Sequence, residues 1–493
     1  MSRILPALSH LAYIAVIILL VTAVPKGTLG MLAESRATLL VVGIIGFWRY
    51  CWSTLNFIRA IIYRRMIWPL RKRRVHKRYH DSGVISHAYF MVTTYLVETE
   101  TTVMVYNRLF AAAANSKGGS TVVASVVYGA DERLVQQIYD THPDNMSDVR
   151  LIIDRIPSNG KRDAIAKALN IIRTFNPSHR DICVFVDGDT VVPYDIISES
   201  APVLTTPGVG ALTTDEGVLI EKRNLFRDWF VLRFNQRQVM FCSQGLSKHV
   251  LTLTGRMSVF RADLAVNPSF IEGVDHDTIK HWRLGEIKFL TGDDKSTWYW
   301  LLKNGYEMWY LPDVRSWSVE TQPRESFVES AYVLMIRWFG NMMRTNGRAL
   351  AVSPALIGPY TWYAILDQRL SPWTTLLGPI SVMIAATLYD INVILLYIAW
   401  VLATRYIFCV IINLFRGTWF PVTHAPILYF GQVFGAAVKT FVLFRLNKQR
   451  WTRQAAAEEA QSPSDRQKSQ ESLIHHVLGI AWLCLGVFFL SQV

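Results

Sequence analysis

The chain has 493 residues, 51% of them apolar, and a formal net charge of +13. An ordinary soluble enzyme rarely combines such apolarity with so basic a balance, and the apolar residues are gathered in runs, which excludes a purely water-soluble globular protein. Five cysteines, Cys51, Cys183, Cys242, Cys409 and Cys484, have no paired spacing, so neither a disulfide framework nor a zinc site is indicated.

The first apolar run, 4–25, contains no Asp, Glu, Lys or Arg, and the second, 37–63, is interrupted only by Arg49 and Arg59. Each is long enough to cross roughly 30 Å of hydrocarbon as a helix. The first lacks a small-residue cleavage site and a second span follows closely, so it reads as a retained span rather than a signal peptide. Next come Arg64, Arg65, Arg71, Lys72, Arg73, Arg74, Lys77 and Arg78, a cluster that belongs on the cytosolic side. Beside two spans it reads as a topogenic flank, and no nucleic-acid partner is expected. The polar block from about Asp81 to Arg348 is then cytosolic.

Within that block strands and helices alternate. Residues 121–127, 149–153 and 181–186 read as strands, and 131–139 and 163–174 as helices. Such alternation predicts a parallel sheet with crossover helices and a ligand crevice at the strand C-termini. No Gly-x-Gly-x-x-Gly or Walker loop is present, which removes dinucleotide and ATPase readings. The third strand instead runs Val184-Phe185-Val186-Asp187-Gly188-Asp189. Asp187 and Asp189 at the crevice edge can hold Mg²⁺ or Mn²⁺, which would neutralise a diphosphate leaving group. Asp-Gly-Asp is also ordinary turn chemistry.

Further along stands Thr291-Gly292-Asp293-Asp294-Lys295. Adjacent carboxylates can simply cap a helix, but an attacking sugar hydroxyl needs a general base. Asp294 is the expected base, and Asp293 a cap or a partner that orients it. Where the block returns to the membrane, Ile336-Arg337-Trp338-Phe339 offers an Arg for a diphosphate and a Trp for stacking on a sugar or base; an interfacial Trp with a snorkelling Arg is the plainer reading.

The remaining apolar runs are 370–389, 391–415 (with Arg405) and 472–493. Residues 426–444 form another, with Lys439 at its end. If it crossed, Lys448, Arg450 and Arg453 would lie outside, against the charge rule. An interfacial or re-entrant helix is expected there, with 447–470 a cytosolic loop. The spans lack interior carboxylates and internal repeats, which argues against a transporter or a scaffold.

The order of these motifs resembles the processive inverting glycosyltransferases, the cellulose, chitin and hyaluronan synthases. They carry a metal-binding Asp-x-Asp, an acidic base motif and a Gln-x-x-Arg-Trp, whose Gln is missing before Arg337-Trp338 here. Gly160-Lys161-Arg162 looks like their nucleotide loop, and Trp451-Thr452-Arg453 like a shortened gating-loop motif. The wording of 254–262, 289–296, 444–446 and 451–454 is more narrowly similar to the mannuronan synthases, catalytic subunits of bacterial alginate polymerisation.

The resemblance covers nearly the whole chain and implies an α/β nucleotide-sugar fold of the GT-A type inserted between transmembrane helices. In segments, 1–65 would be two spans, 66–330 the glycosyltransferase domain, 331–369 amphipathic interface helices and 370–493 the C-terminal membrane region. It further implies a multi-pass inner-membrane enzyme that polymerises GDP-mannuronate into poly-β-1,4-mannuronate. Its partners would be a c-di-GMP-binding PilZ-domain membrane protein and a periplasmic and outer-membrane export complex. Donor contacts would fall on Lys161, Arg162, Arg337, Trp338 and Trp451. Lys295, Arg256 and Arg344 are candidates for the mannuronate carboxylate, since a polyanion favours a basic lining. A UDP-sugar-dependent synthase of the hyaluronan, chitin or cellulose type is the alternative.

Overall fold

The structure, a computed structural model, describes residues 4–28, 30, 36–157, 159–288, 291–448 and 463–492. Two apolar helices, α1 (Ile4–Ala23) and α2 (Arg36–Ile62), precede a π-turn over Tyr63–Ile67 and the basic helix α3 (Trp68–Asp81). The catalytic unit then alternates strand and helix: β1 (Ala88–Thr94), α4 (Thr99–Ala114), β2 (Ser120–Val126), α5 (Gly129–Asp140), β3 (Val149–Arg155), α6 (Lys161–Arg173) and β4 (Ile182–Asp187). It continues through β5 (Thr190–Val191), α7 (Ile196–Leu204), β6 (Val209–Leu219), α8 (Leu225–Gly245), β7 (Met257–Arg261) and α9 (Pro268–Asp275). A small hairpin, β8 (Ile279–His281) with β9 (Gly285–Ile287), leads to α10 (Asp293–Lys303) and the long β10 (Glu307–Val319).

The main sheet has the order β3-β2-β1-β4-β7-β6-β10-β5. Strands β3, β2, β1 and β4 are mutually parallel. β7 lies antiparallel between β4 and β6, and β5 closes the edge antiparallel to β10. The sheet is therefore mixed, where alternation alone predicted a parallel one. β1, absent from that reading, lies inside it between β2 and β4: Ala-Tyr-Phe-Met-Val-Thr-Thr is a short apolar run with no period to tell strand from buried helix. β2 is buried along its whole length, as a central parallel strand should be.

The catalytic unit meets the membrane helices through a second core. Phe226, Trp229 and Phe230 of α8 pack with Leu334 and Met335 of α11 (Phe327–Ala349), and α13 (Val393–Arg416) and α14 (His424–Leu443) join them; α12 (Pro359–Leu388) packs against α14 and against α15 (Pro463–Gln492). Among the described residues, the apolar segments of α12 to α15 are each long enough to cross a membrane. Helix α12 starts eleven residues before its apolar run, so it carries Asp367, which lies ahead of that run and pairs with Arg49 of α2. The two ends of α14 touch the catalytic unit. Thr423 Oγ1 donates to Asp228 at 2.8 Å, while Arg283 donates to the Phe444 carbonyl at 2.7 Å and Arg344 to the Leu446 carbonyl at 3.0 Å.

Helix α13 is fastened to the sheet by a buried ion pair. Arg416 lies 2.6 and 2.7 Å from the two carboxylate oxygens of Asp215 on β6, which also accepts from Arg315 at 2.7 Å. Leaving one partner of a buried pair alone costs about 3–5 kcal/mol, and since Arg315 still faces Asp215 when Arg416 is lost, the cost here is a part of that. Arg416→Leu should therefore melt well below the parent in detergent, and adding Asp215→Leu should restore part of the loss. Equal melting of parent and Arg416→Leu would show that the joint carries no stability.

Candidate active site

Three elements converge at the C-terminal end of β4. Asp187 is its last residue, and its N–H donates to the Arg256 carbonyl at 2.9 Å. Gly188 must be glycine: a Cβ there would stand 2.8 Å from the Thr93 carbonyl oxygen. Gly160 precedes α6 at φ 115°, a conformation that glycine adopts without strain, and so aims the helix N-terminus into the cleft. The Lys161 ammonium then lies 2.6 Å from Asp187 and 3.0 Å from Asp293, the first residue of α10. Burial opposes its charge, but the two carboxylates outweigh burial and hold the ammonium above its ordinary range.

Burial likewise raises the Asp187 carboxyl, with Lys161 opposing and Asp189 and Asp293 reinforcing the rise. Asp293 is buried and Asp294 half-buried. Asp294 lines the same cleft as Asp187, near Thr252 (3.5 Å) and over Gly255. Burial raises its carboxyl too, with Asp293 adding and Lys295 opposing. Among the described residues no group of three or more His, Cys, Asp or Glu stands at metal-ligand spacing. Asp187 and Asp189 remain the candidate oxygen donors for a metal, a pair whose chemistry would suit Mg²⁺ or Mn²⁺ sharing a diphosphate.

Several residues singled out in the sequence do other work. Arg162 follows Lys161 by one helical position and so points away from the cleft. It is 8% exposed, donates to the Val274 carbonyl and to Ser296 Oγ at 2.8 Å, and ties α6 to α9 and α10. Lys295 turns into the domain, its ammonium 2.6 Å from the Leu251 carbonyl and 4.7 Å from the Trp298 ring, and burial pushes its pKa down to about 8. Arg256 is occupied by Glu320 at 2.6 Å and Ser318 at 2.9 Å. Trp338 stacks on Trp229, centroids 5.7 Å apart, with the Arg233 guanidinium 4.2 Å from its centroid. All four are engaged with the chain itself. Arg337 lies within electrostatic reach of Glu320, Arg256, Asp187 and Asp294. Trp451 lies outside the described residues.

The structure adds a support that the motifs did not reveal. Arg344, 4% exposed, donates to Thr291 Oγ1 at 3.2 Å, to Asn341 Oδ1 at 2.5 Å and to the Leu446 carbonyl. It is engaged with the chain itself rather than presented to a carboxylate ligand. A Cβ on Gly292 would meet the Asn341 side chain at 2.8 Å, so α11 presses directly on the base motif. Arg348 grips both oxygens of Asp277, which also accepts from Ser296 of α10. Positions 337, 344 and 348 share one face of α11 by helical spacing, the sequence signal that could have tied Arg344 and Arg348 to this segment.

A mixed sheet of this order, with two carboxylates closing β4 and a second acidic motif opposite, defines a nucleotide-sugar glycosyltransferase with a GT-A-like fold, joined to membrane helices. A family model described as "Glycosyltransferase like family 2" matches residues 86–341. Two proteins named "Glycosyltransferase alg8" are similar over nearly the full length. The one from Pseudomonas syringae pv. tomato is 37% identical over 453 residues, 91% of this chain and 90% of its own. That from Azotobacter vinelandii is 36% identical over 451 residues, with the same coverage. The chain belongs to this family of alginate-related glycosyltransferases. A solved mannosyltransferase, PcManGT from Pyrobaculum calidifontis in complex with GDP-Man and Mn²⁺, has a TM-score of 0.47 at 19% identity, covering 78% of this chain and 98% of its own.

Arg344 touches Thr291, two residues before Asp293, so a positioning role is expected of it. Arg344→Met should lower kcat, by up to about 100-fold for a displacement near 1 Å, and leave donor affinity within a factor of about two; Arg344→Lys should recover part of the rate. Loss of donor affinity in step with kcat would place the residue in the donor site instead.

Proposed function

We propose that this glycosyltransferase polymerises mannuronate from GDP-mannuronate into poly-β-1,4-mannuronate, with inversion, on the cytosolic side of the bacterial inner membrane. The carrying observation is the Lys161 bridge from Asp187 to Asp293, which sets the half-buried Asp294 in one cleft with the candidate metal ligands. The acceptor 4-hydroxyl passes its proton to Asp294 as its oxygen bonds to C1 of the donor, and the C1–O bond to GDP breaks. Arg337 and Lys161 meet the charge on the departing diphosphate. A divalent ion held by Asp187 and Asp189 would supply Lewis-acid stabilisation there. The alginate-related relatives support the donor, and both ends of α14 on catalytic elements support an interfacial helix, with the start of α15 (where a loop to 470 was expected) on the cytosolic side. A PilZ-domain membrane partner and an export complex would complete the assembly.

Asp294→Asn should cut GDP release about 10²–10⁴-fold while calorimetric GDP-mannuronate affinity persists; Asp187→Asn should weaken donor and metal binding together. Equal loss of affinity in both would assign Asp294 to the metal site. Because burial raises the Asp294 carboxyl, the active deprotonated form is lost as pH falls through that raised value. The acid limb of kcat should then lie above the ordinary carboxylate range near about 4, and a limb at that ordinary value would count against this base. On purified membranes GDP-mannuronate should yield polymer; polymer from UDP-glucose, UDP-GlcNAc or UDP-glucuronate alone would overturn the donor.

Topology has its own check. In a chain with Cys51 and Cys484 replaced by Ser, Gln467→Cys should resist an impermeant thiol reagent in intact spheroplasts. Labelling there would show that α14 crosses.

A further inference from the structure

Two cations beside the site lack a counter-ion. Arg233 of α8 has its guanidinium 4.2 Å from the Trp338 centroid and 5.0 Å from that of Trp229. Lys439 of α14 has its ammonium 4.7 Å from the Phe339 centroid. Both cations thus sit over consecutive rings that directly follow Arg337. Among the described residues no carboxylate stands at ion-pair distance from either. Their nearest carboxylates are taken: Glu320, which acts on Arg233, is held by Arg256 at 2.6 Å, and Asp367, which acts on Lys439, is held by Arg49.

The other charged groups near them repel. Arg237 and Arg256 face Arg233, while Arg233 and Arg49 face Lys439. Burial, with Arg237 and Arg256 adding, pushes the Arg233 guanidinium down to about 9. Aromatic faces attract a cation but carry no net charge, so they hold the side chain without neutralising it. Like charges gathered in a low-dielectric region are costly unless an anion joins them.

We infer that Arg233 and Lys439 form a carboxylate-binding subsite for the uronate residues of the growing chain, on the membrane side of the transfer site. The inference rests on the polyuronate product proposed above. Its location supports it: Arg337 marks the diphosphate end, and the two rings after it lead from the cleft toward α14 and the α2–α12 pair Arg49–Asp367. A neutral polymer would give these charges nothing to bind. A uronate chain presents one carboxylate per sugar, so successive residues can pass from one cation to the other as the chain advances.

The test uses the full-length enzyme in nanodiscs, with a mannuronate oligosaccharide and a neutral mannose oligosaccharide as probes. Arg233→Met and Lys439→Met should each weaken mannuronate-oligosaccharide binding by about tenfold and shorten the polymer. GDP-mannuronate affinity and neutral-oligosaccharide binding should stay within a factor of about two. Arg233→Lys and Lys439→Arg should recover part of the binding, which a merely structural role would not require. Unchanged mannuronate binding in both Met variants overturns the subsite, as does equal loss for the neutral probe. Effects confined to nanodiscs of anionic lipid would assign the cations to head groups and also overturn it. A parent enzyme that binds the oligosaccharide yet releases no GDP from GDP-mannuronate would instead sink the donor reading and leave the subsite standing.

Discussion

The ammonium of Lys161 is what allows acidic groups from separate elements to share one cleft. Asp187 ends β4 and Asp293 opens α10, more than a hundred residues later, yet both lie within 3.0 Å of the same nitrogen. Two unit charges about 4 Å apart interact by about 4 kcal/mol at an effective dielectric of about 20, so these carboxylates would otherwise separate the strand from the helix. The geometry that delivers the ammonium depends on Gly160, whose positive φ turns the chain into α6 with Lys161 at the first helical position. A β-branched residue at 160 would be strained and would aim the helix elsewhere.

Behind this bridge the base motif is braced from two directions. Arg162, pointing opposite to Lys161, reaches Ser296, and Ser296 reaches the Asp277 held by Arg348. From the membrane side Arg344 reaches Thr291, and Asn341 fills the space that a side chain on Gly292 would need. Helix α11 thus carries Arg337 within electrostatic reach of Asp187 and Asp294, Arg344 behind Thr291 and Arg348 at Asp277. Loss of any brace leaves a buried polar group unpaired, which is costly.

Much of this was legible in the sequence. The strand that ends in Asp187 and the helices over 129–140 and 161–173 fall within two residues of their expected bounds, because period and flanking residues agree there. β1 and the antiparallel β7 were not legible, since a short apolar run carries no direction and strand order follows from tertiary pairing. Asp187, Asp293 and Lys161, which motif spacing singled out, meet in the structure. The contacts that Arg162, Lys295, Arg256 and Trp338 make within the chain were not legible, because residue type does not say which way a side chain points. Arg233 and Lys439 lie in no motif, and only their juxtaposition across 206 positions gives them meaning.

Hydropathy also cannot tell a crossing helix from one that lies along a domain, since the two expose similar apolar surface. End contacts separate them. Helix α13 has one end on Asp215, and the far end of its neighbour α12 meets α13 at the Asp390 turn, where Thr28 donates to Asp390 beyond α1. Helix α14 instead returns to the catalytic unit at both ends and packs along α11 between them. It therefore shares one helix, α11, with the base motif and with Arg337. Arg344 links the Leu446 carbonyl, just past α14, to Thr291, and Lys439 of α14 sits over the Phe339 ring. Transfer and chain advance, on the proposed function, would then be coupled by the packing of two helices, with no separate moving domain required.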